Sequence, residues 1–399
     1  MPVGTPFHER TFALCESLSY RDWSGYYTVS SYETHHEHEY NAIRNAAALI
    51  DISPLFKYVI SGRDASRLVN RVITREVDKI AVGQVVYTPW CDENGHVIDD
   101  GTVARLGEQR FRWTAAEPNL RWLTQNAAGL SVTIDDTSET TAALALQGPL
   151  AARVLRASAE VDVDRLRYFH ATSGRIAGVP VDVSRTGYTG DLGYEIWIPG
   201  DKALVVWDAL IEAGRPFDLM PAGMLALDVA RVEAGLLLID VDYCGSRKAV
   251  IADQRYTPYE LGLGRLVHLD KGPFVGRSAL RAEASRGPRR RIVGLDVDWS
   301  DVEAVYERVG LPPVAPAAAS RTAVPVLLVD GQVGRATTTA WSPTLKRLIA
   351  IACVDARQST EGTRLRLEIS VEGARHFVGA AVVRMPFFTP SRKTATPPL

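Results

Sequence analysis

Residues 185–198 read RTGYTGDLGYEIWI, and the parsing of this stretch decides the fold. The run before it, Val181–Arg185 (VDVSR), and the run Gly193–Ile198 both alternate with the two-residue period of strands. The segment therefore reads as strand, glycine-bent loop, strand. Val181 and Val183 share a face of the first strand. Tyr194, Ile196 and Ile198 share a face of the second, and Glu195 and Trp197 point the opposite way. Gly187, Gly190 and Gly193 stand three apart and bring Tyr188, Tyr194 and Glu195 close together. A carboxylate beside such a bend is a candidate ligand group, because glycine lets a flat ligand approach the backbone. Spacing alone favours a plainer reading, a hairpin turn that needs positive φ with Glu195 facing water, since glycine turns are common.

The surrounding chain sets the class. A length of 399 residues suggests two or three domains, and 46% apolar with 23% charged residues is ordinary for a globular protein. A formal net charge of −2 gives no electrostatic case for nucleic acid or an anionic membrane. Cys15, Cys91, Cys244 and Cys353 lie far apart with no CxxC pair, which speaks against a zinc site or a disulfide framework and fits a reducing compartment. No metal is expected. The N-terminus lacks a basic region followed by an apolar core, and no apolar run reaches membrane-spanning length, so a cytoplasmic protein is expected.

Working outward, residues 1–35 are polar and aromatic without clear periodicity and read as an N-terminal arm. Ile43, Ala46, Ala47 and Ile50 predict a helix from about Glu37 to Leu49. His35, His36 and His38 precede it, but adjacent histidines on a forming helix point in different directions, so a solvated helix start is the reading. Val85–Trp90 and His96–Val103 form a hairpin around Asn94-Gly95. A two-residue loop there pairs Glu93 with His96 and Pro89 with Asp100. Asp100 and Tyr87 then share a face as diagonal neighbours, and Asp99 faces the other way as a structural residue. Strand Arg110–Ala116, helix Pro118–Ala127, a strand-to-helix run broken at Gly148-Pro149, helix Lys202–Ala213 and helix Met220–Leu236 follow. A boundary falls near 285, before the basic run RGPRRR, and short alternating strands beyond it predict a small all-β barrel. The chain thus divides into an arm (1–35), a two-lobed α+β region (36–285), a β-barrel (286–392) and a frayed tail (393–399).

There is no GxSxG, HExxH, GxxxxGK[ST] or GxGxxG after a strand, so neither a hydrolase nor a nucleotide motif is present. What remains is a cavity-like set: Tyr87, Asp100, Tyr188, Glu195 and Arg231.

The order of motifs resembles the glycine-cleavage T-protein (aminomethyltransferase) family of tetrahydrofolate-dependent one-carbon transferases. The matching stretches are EHEYNAIRNAAALIDIS (37–53), GHVIDD (95–100), ALALQGP (143–149), RTGYTGDLGYEI (185–196), ALDVARVEAGL (226–236), FVGRSAL (274–280) and VGRATTTAWSP (333–343). The resemblance implies an α+β cloverleaf of three domains, the last a β-barrel, with folate in a central cavity. It implies that Glu195 takes the amino group and ring N–H of the pterin, a bidentate charge-assisted contact. By the same resemblance Tyr188 lines the pocket, Asp100 is the catalytic aspartate, and Tyr87 and Arg231 occupy site positions. Three departures stand out: Thr114-Ala115-Ala116 where an Asn-Ala pair is usual, Asp191 in place of a glutamate, and LLIDVDYCGS (237–246) in place of YGHD. These alter the substrate side, so a demethylase that moves a methyl group from a small donor to tetrahydrofolate is the leading expectation. Tyr243, on the divergent segment, is a candidate substrate residue. The alternatives are aminomethyl transfer from a lipoylated carrier protein and a non-catalytic folate-binding protein.

Overall fold

The computed structural model describes residues 1–329 and 331–397. The glycine-bent hairpin lies inside a six-stranded sheet, ordered Ala171–Ile176, Val179–Ser184, Gly193–Pro199, Thr141–Gln147, Ala47–Asp51 and Leu219–Pro221. Its alternation divides two cores. Tyr194, Ile196 and Ile198 pack with Leu144, Leu146 and the helices Ala151–Ser158 and Ala203–Gly214. Trp197 faces the opposite side with Ala143, Ala145 and the helices Glu37–Asn45 and Met224–Glu233. Glu195, two residues before Trp197, shares the Trp197 face, opposite its neighbours Tyr194 and Ile196.

A five-stranded sheet runs in the order Val85–Cys91, Val97–Gly107, Arg110–Ala115, Phe56–Ser61 and Thr133–Asp136. The strands Arg290–Val297, Arg347–Asp355, Gly331–Ser342, Val324–Leu328, Arg364–Val371 and Ala374–Val383 close into the expected barrel around Leu295, Val326, Ala350, Leu367 and Ala380. The chain is α+β, with helices flanking open sheets and an all-β barrel at its end. No helix among the described residues is long and apolar enough to cross a membrane.

Three local expectations change. The helix expected over 37–49 stops at Asn45, because Ala47–Asp51 forms a strand buried on both faces between two neighbours. Such strands show no alternation, so Ala and Ile at helical spacing misled the reading. The arm before residue 35 contains the helix His8–Leu14 and a small three-stranded sheet. It is anchored by Phe7, 0% exposed in the first core, and by Arg21, whose Nη1 donates to Asp228 at 3.1 Å. The tail expected to fray is held through residue 397: Arg392 pairs with Asp191, and Arg185 and Arg156 donate to carbonyls of Ala395 and Pro397. Residues 398–399 lie outside the described residues.

The parts meet at one buried ion pair. Arg44 reaches Glu233 through Nε at 2.8 Å and Nη2 at 2.6 Å, and it also donates to the carbonyls of Thr189 and Ala230. Glu233 Oε1 accepts Tyr40 Oη and, from the barrel, Ser342 Oγ, each at 2.5 Å. A buried pair is costly to break, because one partner is left charged and unsatisfied. Glu233→Ala, which strands an Arg44 only 3% exposed, is expected to lose about 3–5 kcal/mol in denaturant unfolding, with a smaller loss for Glu233→Gln.

Candidate active site

The Tyr87–Asp100 geometry follows from the hairpin, though by a different route than a two-residue turn. The loop carries three residues between Asp92 and His96, closed by Asp92 N–H to His96 O at 2.9 Å, with Gly95 at φ +78°. A register shift between Trp90 and Cys91 removes the extra residue, so Pro89 still faces Asp100. Tyr87 Oη consequently donates to Asp100 Oδ2 at 2.6 Å. Asp99 turns away and is 0% exposed; it accepts Asn119 Nδ2 at 2.9 Å and the backbone N–H of Glu117 at 3.1 Å. It is the structural member of the pair.

The other oxygen of Asp100 accepts the hydroxyl of Tyr243. A tight turn delivers that side chain. Asp242 accepts Leu238 N–H at 2.8 Å, the hydroxyls of Thr337 and Thr338 at 2.7 Å each, and the guanidinium of Arg231. Ser246 N–H then bonds Val97 O at 2.8 Å, along the strand that carries Asp100. Gly245 has no alternative there, since a Cβ would lie 2.6 Å from Ile98 O. Burial pushes Asp100 upward from the ordinary carboxylate range, and the Tyr243 and Tyr87 hydroxyls oppose it. Burial and the neighbouring carboxylate push both tyrosines well above their usual range, so they stand as neutral donors.

The three glycines of the hairpin do a different job from admitting a ligand. Cβ atoms at Gly187 and Gly193 would lie 2.1 and 2.3 Å from the Gln147 amide, which fills the space between them. Gln147 Oε1 accepts Thr189 Oγ1 at 2.8 Å, stitching the loop to the adjacent strand. Only Gly190, at φ +73° and against Ala234, is required by backbone conformation. Glu195 stands opposite Ala145 in the ladder, a side chain small enough to leave room beside the carboxylate. Thr186 Oγ1 donates to Glu195 Oε2 at 2.6 Å, and the carboxylate retains acceptor capacity for two parallel donors. Burial raises its pKa, against the Thr186 hydroxyl, the Arg112 guanidinium and the Ser184 hydroxyl.

Tyr87, Asp100, Tyr188 and Glu195 all remain partly accessible, while burial is the largest influence on the titration of each. Partial access under dominant desolvation is the pattern expected of side chains that border a hollow. Tyr87, Asp100, Tyr188 and Tyr243 form one electrostatic cluster there; Glu195 lies on the strand that follows the Tyr188 loop, with Arg112 as its charged neighbour. Tyr188 Oη donates to Leu237 O, at the start of the divergent segment. Arg231 is a correction. Expected at the cofactor, it is 0% exposed, and its guanidinium is directed at Asp242, Thr338 Oγ1 at 3.0 Å and Leu236 O at 3.2 Å. It supports the turn behind the wall. Gln147 and Asp242 are the residues that sequence reasoning passed over; a buried amide inside ALALQGP and an acid just before Tyr243 were the available signals. Among the described residues no group of three or more His, Cys, Asp or Glu side chains is placed to hold a metal ion.

Residues 8–271 match the GCVT N-terminal domain, and residues 290–389 match the glycine cleavage T-protein C-terminal barrel domain. An aminomethyltransferase of Moorella thermoacetica is 35% identical over 359 residues, 89% of this chain and 90% of its own length. The trimethylamine-oxide aldolase of Ruegeria pomeroyi is 33% identical over 98% of this chain and 48% of its own length. The crystal structure of glycine cleavage system aminomethyltransferase T from Bartonella henselae superposes with a TM-score of 0.82 at 23% identity, covering 98% of this chain and 99% of that one.

A carboxylate held above its ordinary pKa costs stability wherever it is ionised. That cost is full above the folded-state pKa of Glu195 and vanishes below the unfolded value near 4.5. Glu195→Gln is therefore expected to raise the Tm of the ligand-free protein at neutral pH, with the gain shrinking as pH falls towards 4.5, read by calorimetry across pH.

Proposed function

Because this chain belongs to the glycine-cleavage T-protein family of one-carbon transferases, we propose that it moves a methyl group from a small methylated donor to N5 of tetrahydrofolate. The observation that carries this reading is Asp100 bracketed by two tyrosine hydroxyls, Tyr87 on one oxygen and Tyr243 on the other. Tyr243 comes from the segment that departs from the family pattern, so the departure falls at the reacting end of the hollow.

Tetrahydrofolate fits the residues present. Glu195, a deep carboxylate with free acceptor capacity beside Ala145, suits the amino group and ring N–H of the pterin. Arg75, Arg265 and Lys393 make no ion pair among the described residues, and Arg265 depresses the other two, after burial. Arg75 Nη1 lies 3.5 Å from Tyr87 O, which puts this cationic set beside the hollow and suits it to the carboxylates of the folate glutamate. When bound, the cofactor supplies N5 as the methyl acceptor. With the cofactor bound, Asp100 would accept the proton released at N5 or balance positive charge developing there. A sulfonium or quaternary ammonium donor departs neutral and needs no proton, whereas a methoxyaromatic or neutral amine donor would take one from the Tyr243 or Tyr87 hydroxyl, which Asp100 would recharge. For those donors the proton would cross from the acceptor side to the leaving group, and for the cationic donors Asp100 would release it to solvent.

A screen of sulfonium, quaternary or secondary amine and methoxyaromatic donors with tetrahydrofolate, scored for 5-methyltetrahydrofolate by mass, tests the proposal. The aminomethyl reading draws support from the Moorella relative; ammonia release with a lipoylated carrier protein, and no methyl product from any donor, establishes it instead. A non-catalytic folate-binding protein predicts turnover in neither assay.

Two variants follow from the mechanism. Asp100→Asn is expected to retain folate binding and lose about 10²–10⁴-fold in kcat, the usual contribution of a positioned acid–base group. Tyr87→Phe removes a donor that holds the Asp100 pKa down, so that pKa rises further. The acidic limb of kcat/KM should then move to higher pH by about one unit, the effect of a hydrogen bond to a charged group. A limb that stays in place excludes Asp100 as the titrating group.

A further inference from the structure

We infer that the C-terminal segment 388–397 is a positioning strap for the cofactor loop, with Arg392 as its principal pin. This rests on the folate reading of Glu195 and Tyr188. The strap returns from the barrel and holds the glycine-bent loop at both ends. At the far end, Arg392 grips Asp191 with Nε on Oδ1 at 2.7 Å and Nη2 on Oδ2 at 2.8 Å, a bidentate fork. At the near end, Arg185 Nη2 donates to Ala395 O at 2.5 Å and to Lys393 O at 3.4 Å. Between the two pins lie Thr186, which bonds Glu195, and Tyr188, which lines the hollow.

The loop needs such external support. Gly187, Gly190 and Gly193 give it little conformational preference of its own, and each glycine loses more freedom on ordering than any other residue. Asp191 is 0% exposed, and its other cation, Arg44 Nη1, stands at the longer distance of 3.4 Å. Without Arg392 the buried carboxylate loses its main partner, and the loop is left to the Thr189 contacts with Gln147 and Arg44. The strap is itself seated independently of Arg392: Phe388 N–H bonds Glu233 O at 2.8 Å, and the Arg44 guanidinium stacks 4.6 Å above the Phe388 ring. Removal of the Arg392 fork should therefore loosen the loop and leave the core intact.

Three chains are compared with the wild type: Arg392→Ala, Arg392→Lys and a truncation after Pro390. Hydrogen exchange of residues 186–193 is the first readout, and binding of 5-formyltetrahydrofolate, a stable folate, is the second. Arg392→Ala should speed exchange in the loop beyond what its lower global stability accounts for, and weaken the folate about tenfold, as expected when the competent loop is populated a tenth of the time. KM for the methyl donor and kcat at saturating folate should hold. Arg392→Lys keeps the charge but not the fork, so it should fall between the two. A peptide of residues 386–397 added to the truncated chain should restore protection of the loop. Unchanged exchange and folate affinity in Arg392→Ala overturn the strap and leave the methyl-transfer reading standing. A wild-type chain that binds no folate overturns that reading, and the exchange data still decide the strap.

Discussion

The buried pair between Arg44 and Glu233 is the interaction on which the arrangement rests. Arg44 comes from the first helix of the α+β region, Glu233 ends the helix before the divergent turn, and Ser342 brings the barrel to the same carboxylate. The same guanidinium holds the Thr189 carbonyl of the glycine-bent loop and stacks on Phe388 of the C-terminal segment. One cation thereby sets the distance between the loop, the barrel and the returning tail. Its energy is local, since breaking it leaves an unpaired charge in a dry place, but its effect is geometric.

The interior this frame holds together carries charged groups that a protein interior does not favour. Glu195 and Asp100 are raised by burial, and Asp99 is raised well above its usual range by burial and by the charge of Asp100 beside it. Each carboxylate has its own compensation. Asp99 is closed off by Asn119 and backbone N–H groups, Asp100 by two phenols, and Glu195 by the Thr186 and Ser184 hydroxyls with the Arg112 guanidinium nearby. Glu195, with one Thr186 hydroxyl on Oε2, keeps acceptor capacity that the proposed pterin donors would fill. Placing strained charges where a ligand relieves them is a common way for a site to exchange stability for function.

Legibility in the sequence varied with the range of the interaction. The alternation of Tyr194, Ile196 and Ile198 against Trp197 was readable because burial on one face leaves a two-residue period. The Tyr87–Asp100 pairing was also readable, although a longer loop and a bulge, opposite in sign, together produced the register that a two-residue turn alone predicts. The strand Ala47–Asp51 was not, since burial on both faces erases the period. Arg231 shows the limit of a motif: only packing reveals that its guanidinium is committed to Asp242, Thr338 and the Leu236 carbonyl.

By itself the sequence determined the family, the α+β and barrel architecture, and the carboxylates and phenols from which the site is made. These depend on periodicity and on residues a few positions apart, which a single chain records directly. The tertiary structure decided where those groups meet. The convergence of Tyr243 on Asp100 across 143 positions, the Gln147 amide seated between two glycines, and the Arg392 fork on Asp191 across 201 positions are contacts between distant segments. No local pattern encodes them, because each depends on two separately folded surfaces arriving in register.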